Sequence, residues 1–289
     1  MPTRKATSLI LAGTLAFGLQ SGAALALDPD RIPDASEPQT LLKYGYDALK
    51  QGRALEAVDA FRLGADQKHL PAQWKLARMF QTGQGVVRDD VRAHRLYQGI
   101  ADRYSEIPPN RFDRPYVSNA VVWLGRYALA GIPAAQMPSD PVLAEHYFQR
   151  AAALYGDANA QFHLGELYSS DRLGVRRYRQ AARWYGLASR KGHPAAQAAL
   201  GQMLFYGKGV RKNRVKGLVY IARAAAAAAQ SGIGGIAEIR EQAFANASDA
   251  QRKAANAIIA RLPARVGTSA AGATASLQTF GLKASQPDQ

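Results

Sequence analysis

The chain of 289 residues contains no cysteine, so no disulfide bond can hold the fold together. Acidic residues are also scarce: 22 Asp and Glu stand against 37 Lys and Arg, which gives a formal net charge of +15. The sequence lacks H-E-x-x-H, G-x-S-x-G, Walker and clustered His motifs. These absences exclude disulfide-stapled repeat proteins. They also predict a protein that is not an enzyme, with no catalytic residue, no metal site and no cofactor.

The first 26 residues have the pattern of a secretory signal peptide. Arg4 and Lys5 precede an apolar run from Leu9 to Leu19, and small residues lead to Ala26. Cleavage is predicted after Ala26. The run is shorter than the roughly 20 residues that a membrane-spanning helix needs, and no later charge-free stretch reaches that length. We therefore predict an exported, periplasmic protein that does not span the membrane.

The strong positive charge predicts an acidic partner. Nucleic acid is disfavoured by export and by the absence of zinc-finger, homeodomain or aromatic-rich basic motifs. Anionic polysaccharide, lipid head groups and an acidic protein surface remain as candidates.

An internal repeat dominates the sequence. The segment from Ala160 to Tyr168 is repeated 36 residues later, and one repeat position is held by leucine in four places. Those leucines are Leu76, Leu124, Leu164 and Leu200. A period of this length is typical of stacked helical pairs. We predict an all-α fold, a right-handed α-solenoid of about five helical hairpins plus a C-terminal helical cap.

Composition and periodicity divide the remaining chain. Residues 27–38 are predicted to be a flexible lead-in, 39–262 the solenoid and 263–289 a disordered tail. The predicted hairpins cover residues 39–64, 71–103, 116–155, 157–191 and 194–230, and the cap helices cover 236–246 and 248–262. Gly83 with Gly85, and Gly207 with Gly209, are interpreted as tight turns because a phosphate-binding loop needs a different spacing after a strand.

An insertion at residues 105–115 contains three prolines. It is either a mobile loop that a protease cuts first or a packed structural loop.

The stretch from Asp171 to Lys216 contains twelve basic residues and one acidic residue. It is either an unspecialised solvated surface or a docking site for an acidic partner. The predicted partner-binding residues are Arg172, Arg176, Arg177, Arg179, Arg183, Lys208, Arg211, Lys212, Arg214 and Lys216, and Arg190 and Lys191 complete the twelve.

Three histidines are candidates for sensing pH. His69 and His193 both precede a repeat's Ala-Gln pair at a hairpin end, and His163 lies in an apolar segment. The structural alternative for His69 and His193 is a shared capping role. A buried neutral histidine has a pKa below its unfolded value of about 6.5, so it would destabilise the fold in acid.

The repeat pattern A-x-x-x-L-G-x-x-Y, G-x-G-V and A-x-x-W-Y resembles the Sel-one-like repeat, a relative of the tetratricopeptide repeat. The fourth unit supplies Ala160, Leu164, Gly165, Tyr168, Ala181, Trp184 and Tyr185.

A closer resemblance is to the ExoR-type periplasmic regulators of exopolysaccharide synthesis. It rests on the leader, on residues 43–46, 52–53 and 56–58, on the irregular third unit and on residues 241–244. The resemblance implies that the chain binds the periplasmic domain of a sensor histidine kinase, represses it, and is removed by a periplasmic protease in acid. Exopolysaccharide production and motility would be the outputs. The alternatives are an interaction scaffold in envelope assembly and a secreted binder of acidic polysaccharide.

Overall fold

The computed structural model describes residues 37–262, which form twelve α-helices and no β-strand beyond an isolated bridge. The helices are Pro38–Lys50 (α1), Ala54–Asp66 (α2), Leu70–Thr82 (α3), Asp90–Arg103 (α4), Arg114–Ala130 (α5), Pro141–Leu154 (α6), Ala158–Ser169 (α7), Tyr178–Arg190 (α8), Pro194–Tyr206 (α9), Arg214–Ser231 (α10), Ile236–Ala245 (α11) and Asp249–Arg261 (α12). The predicted leader at 1–26, nearly all of the lead-in at 27–38 and the tail at 263–289 lie outside the described residues.

Successive helices pair into five hairpins, from α1 with α2 to α9 with α10, and α11 and α12 pack on α10. Each hairpin contacts the next. First helices of neighbouring hairpins are also in contact, for example α1 with α3 and α3 with α5. This confirms the predicted all-α solenoid. Within residues 37–262, no helix combines the length and the apolar character that crossing a membrane requires.

Helix α5 begins earlier than the sequence suggested. Pro115 lies in its first turn, where the missing N–H of proline has no cost, so the preceding loop ends at Asp113 and not at Pro115. Helix α1 likewise begins at Pro38, inside the predicted lead-in. The predicted capping box is confirmed: Ser248 and Gln251 exchange hydrogen bonds at the start of α12.

A glycine in the first helix lets the second helix pack closely. A Cβ placed on Gly165 would lie 2.4 Å from the ring of Tyr185, and one on Gly125 would lie 2.6 Å from Phe148. Gly45 and Gly201 occupy the same repeat position. In hairpins one, three and four, an aromatic ring of the second helix therefore rests directly on the backbone of the first, whereas at Gly201 the neighbour is Ile221. Three clusters of buried apolar residues lie along the row of hairpins.

The solenoid has two edges of loops. We call the loops that join the two helices of one hairpin the turn edge, and those that join one hairpin to the next the linker edge. On the linker edge, long cations bind carbonyls of the preceding hairpin: Arg103 donates to Lys68 O at 2.8 Å and Arg150 to Tyr104 O at 2.9 Å. These contacts fix one hairpin relative to the next.

Candidate partner-binding surfaces

The two basic turns of hairpins four and five lie side by side on the turn edge. Gly209, with φ +69°, rests on the first residue of α8, because a Cβ there would approach the Tyr178 carbonyl carbon to 2.5 Å. That contact places the 207–213 turn against the 170–177 turn. The result is a basic edge of ten residues, all exposed except the half-buried Arg214: Arg172, Arg176, Arg177, Arg179, Arg183, Lys208, Arg211, Lys212, Arg214 and Lys216.

Some members of the basic edge have structural contacts. Arg172 donates to Leu129 O at 3.3 Å, which ties hairpin four to the end of α5. Arg176 lies 3.6 Å from the carboxylate of Asp171, and the guanidinium of Arg177 lies over the Tyr168 ring. These contacts orient part of the edge.

Other members have no acidic partner among residues 37–262. Arg179, Arg183, Lys208, Arg211 and Lys212 take part in no ion pair there. Helix α8 also begins without a side-chain cap and without an acidic residue in its first turn, so its positive dipole end adds to the field. The basic edge can therefore attract a negatively charged surface.

Arg190 and Lys191 are separated from this edge. They lie at the C-terminal end of α8 on the linker edge, where Lys191 donates to Gly156 O. The run of twelve cations in sequence is thus two groups in space.

His193 is a buried cap at the start of α9. Its Nδ1 accepts from Ala196 N at 3.2 Å, its Nε2 lies 3.2 Å from Asn159 Oδ1, and its ring stacks on Phe162. An Nδ1 that accepts carries no proton, so this geometry needs the neutral ring. Burial, assisted by the nearby His163, lowers the pKa of His193 to about 3.

The other two predicted histidines differ from His193. His69 occupies the equivalent position before α3 but makes no cap hydrogen bond, and its buried Nδ1 has no partner among the described residues. Burial lowers the pKa of His69. His163 is buried and has an acidic partner, with Nδ1 2.8 Å from Glu166 Oε2. The shared capping role is therefore realised by His193 and not by His69.

Sequence reasoning missed His94, whose pKa is also lowered by burial.

Sequence reasoning also missed a surface on the first helices of hairpins one to three, which we call the first-helix face. Its six residues are Tyr46, Trp74, Lys75, Arg78, Trp123 and Arg126. Each cation lies over a ring: Lys75 Nζ is 5.5 Å from the Tyr46 centroid, and the guanidinium carbons of Arg78 and Arg126 are 5.2 and 3.8 Å from the centroids of Trp74 and Trp123.

The repeat pattern contained a signal for this surface. Arg78 and Arg126 each follow a repeat leucine by two residues, so they share a position on successive first helices. Burial lowers the pKa values of both Lys75 and Arg126.

A cleft of about 220 Å³ lies beside the end of α7. It is lined by Leu129, Glu166, Leu167, Ser169, Ser170, Arg172 and Tyr185. Ser169 and Ser170 already donate to backbone oxygens of α7. Across residues 37–262, His, Asp and Glu side chains form no group of three that could ligate a metal.

Comparisons with known proteins agree with this architecture. The Sel1 repeat model matches residues 70–103, 118–155, 158–193 and 194–228. The "exopolysaccharide production negative regulator" of Rhizobium meliloti (strain 1021) is 33% identical over 248 residues, which cover 85% of this chain and 90% of that protein. The protein of the same description from Rhizobium leguminosarum bv. viciae is 32% identical over 247 residues, covering 83% and 90%.

Among solved structures, a Sel1 repeat protein from Oxalobacter formigenes superposes with a TM-score of 0.55 at 23% identity, covering 81% of this chain and 90% of that one. This likeness supports the fold alone.

Proposed function

The chain belongs to the family of Sel1-repeat exopolysaccharide production negative regulators, and we propose that it binds the periplasmic sensing domain of a two-component sensor histidine kinase and holds that kinase inactive. Family membership supports a regulatory role. The kinase, the periplasmic location and an effect on motility are our proposals.

The observation that carries the proposal is the extent of the match to the two relatives. It covers 90% of each relative, so the shared part is nearly the whole protein and not one or two repeats. Both relatives are described as negative regulators of exopolysaccharide production.

The surfaces support direct binding as the means of repression. Stacked hairpins bury their core between neighbours and leave long faces free for a partner. The basic edge carries cations without acidic partners, which favours fast docking to a negatively charged domain. A non-catalytic role fits this arrangement.

Location and turnover complete the proposal. The leader at residues 1–26 supports export to the periplasm, with cleavage after Ala26. A periplasmic protease would end repression by degrading the regulator. Acid would favour this step because it destabilises a fold that contains buried neutral histidines.

A deletion strain tests the proposal. Loss of the gene should raise secreted exopolysaccharide and give mucoid colonies, and the wild-type gene should reverse both. A copy that lacks residues 1–26 should fail to complement at equal expression. Normal polysaccharide together with lysis or altered cell shape would contradict repression and favour an envelope scaffold.

A further inference from the structure

Three cations of the first-helix face form no ion pair. Lys75 and Arg78 on α3 and Arg126 on α5 are half-buried, yet none has a carboxylate within ion-pair distance or a side-chain hydrogen bond among residues 37–262. Glu166 acts on Arg126 from beyond ion-pair distance, and its carboxylate contacts His163 at 2.8 Å. Removing a cation from water without a close counter-charge is unfavourable. Half-buried cations of this kind suggest a binding role.

The three cations share one continuous surface. Helices α3 and α5 are joined there by Trp74, whose Nε1 donates to Asn119 at 2.8 Å and whose ring packs edge-on against Tyr116 at 5.4 Å. The buried Tyr97 lies beneath, with its ring stacked on Trp123. Burial raises the pKa of Tyr97, and the positive charges of Arg78 and Arg126 oppose that rise.

The aromatic rings restrict what this surface can bind. The cations already occupy a face of Trp74, Trp123 and Tyr46, so those faces are not open for stacking on a sugar. A guanidinium that lies over a ring keeps N–H groups at its free edge, where they can donate in pairs to a carboxylate.

The contact between α3 and α5 predicts a spacing that suits a peptide in extended conformation. Helices in contact lie about 8–10 Å apart. Side chains two or three residues apart on an extended chain are separated by about 7–10 Å, since each residue advances about 3.3 Å. Carboxylates at that interval can therefore reach α3 and α5 together.

We propose that the first-helix face binds an extended acidic peptide segment whose carboxylates pair with Lys75, Arg78 and Arg126. The assignment of that segment to the repressed kinase rests on the proposed function; the binding chemistry does not.

The test uses the mature chain and a fluorescent probe peptide of four Glu-Ser repeats, with a Gln-Ser peptide as the neutral control. Anisotropy is measured at about 0.15 M salt, where distant exposed charges are largely screened. The paired variant Arg78→Gln/Arg126→Gln should weaken binding by about tenfold or more, because it removes charge-assisted hydrogen bonds. The matched control Arg179→Gln/Arg183→Gln, on the exposed basic edge, should weaken it by less than about threefold.

Two further variants guard against misfolding. Arg126→Met removes a half-buried cation that has no ion pair and keeps an apolar side chain over the Trp123 ring, so its urea midpoint should not fall below the wild-type midpoint even though it binds the probe weakly. Lys75→Gln/Arg78→Gln leaves α5 unchanged and should also lose binding.

Equal weakening by the first-helix and basic-edge variants would overturn the proposal, because binding would then be unspecific. So would absence of binding to the wild type, or tighter binding of oligogalacturonate than of the peptide at these residues. If the probe fails to bind while the kinase domain still binds, this inference is wrong and the proposed function stands. If the probe binds and the kinase domain does not, the proposed function is wrong and this inference stands.

Discussion

Replacing His193 tests whether acid acts on the solenoid through a buried neutral histidine. His193 is 6% exposed, and its Nδ1 accepts the hydrogen bond that caps α9. Protonation would place an N–H against the N–H of Ala196 and would charge a ring stacked on Phe162. The folded state should therefore resist protonation at every pH near neutrality.

The magnitude follows from the two pKa values. The folded pKa is about 3, whereas the unfolded value is about 6.5. The contribution of neutral His193 to the free energy of unfolding is fully present above pH 6.5 and is lost as the pH falls toward 3. Between pH 7.5 and 5.5 the unfolded chain gains most of a proton and the folded chain gains almost none, so the free energy of unfolding should fall by about 1.4 kcal/mol. That figure changes little for any folded pKa below about 4.5.

The assay is urea unfolding at both pH values for the wild type and for His193→Asn. Asparagine retains an oxygen that can cap the helix but does not titrate. The variant should be less stable at pH 7.5 because the stacked ring is lost, yet its loss on acidification should be smaller than the wild-type loss by about 1.4 kcal/mol. The exposed His146, changed to Asn, is the matched control and should keep the wild-type loss. An equal acid loss in the wild type and His193→Asn would refute the reasoning.

Three further predictions follow from the packing and the charges. Gly165→Ala should destabilise the fold by about 1–3 kcal/mol because its Cβ would meet the Tyr185 ring. Gly186→Ala, with Arg190 as its nearest neighbour at 3.9 Å, should be neutral or stabilising. Thermal unfolding of both variants compares them, and similar destabilisation would contradict the packing argument. Changing Arg179, Arg183 and Lys212 to Glu should weaken binding to the kinase domain by more than about tenfold and reduce the salt dependence of that binding. The same change at the exposed Arg95, Arg190 and Lys253 should have little effect. Surface plasmon resonance measures both variants, and equal losses of affinity would remove the basic edge from the interface. Within residues 37–262, limited chymotrypsin digestion should cut first near Phe112, which is 69% exposed in the 104–113 loop. Earlier cuts within the helical hairpins would show that this loop is not the accessible site.

The repeat positions accounted for most of the fold. Leu124, Leu164 and Leu200 mark first helices, and Gly125, Gly165 and Gly201 follow them where the second helix packs. These positions are visible in sequence because close packing tolerates few residue types.

The differences between His69 and His193 were not visible. Both residues precede an Ala-Gln pair, but Asn159 and Phe162, which hold the ring of His193, correspond to Gln39 and Leu42 in the first hairpin. A capping role depends on neighbours about 30 residues away, which local sequence does not specify.

The first-helix face was missed for a related reason. Sequence shows that Arg78 and Arg126 share a repeat position, but a cation is unusual only when it is partly buried and has no carboxylate within ion-pair distance. Burial and pairing both depend on contacts among three hairpins. The basic edge was easier to predict because its residues are close in sequence, although Arg190 and Lys191 proved to lie on the opposite edge.

Kinase autophosphorylation tests the central claim most directly. Sensor histidine kinases of the source organism can be reconstituted in nanodiscs with the periplasmic domain accessible, and phosphate incorporation measured as the mature chain is added. Repression by direct binding predicts that one kinase loses activity in a saturable, dose-dependent manner, and that basic-edge reversals shift the curve to higher concentrations. Unchanged autophosphorylation of every kinase at saturating concentrations would contradict the account.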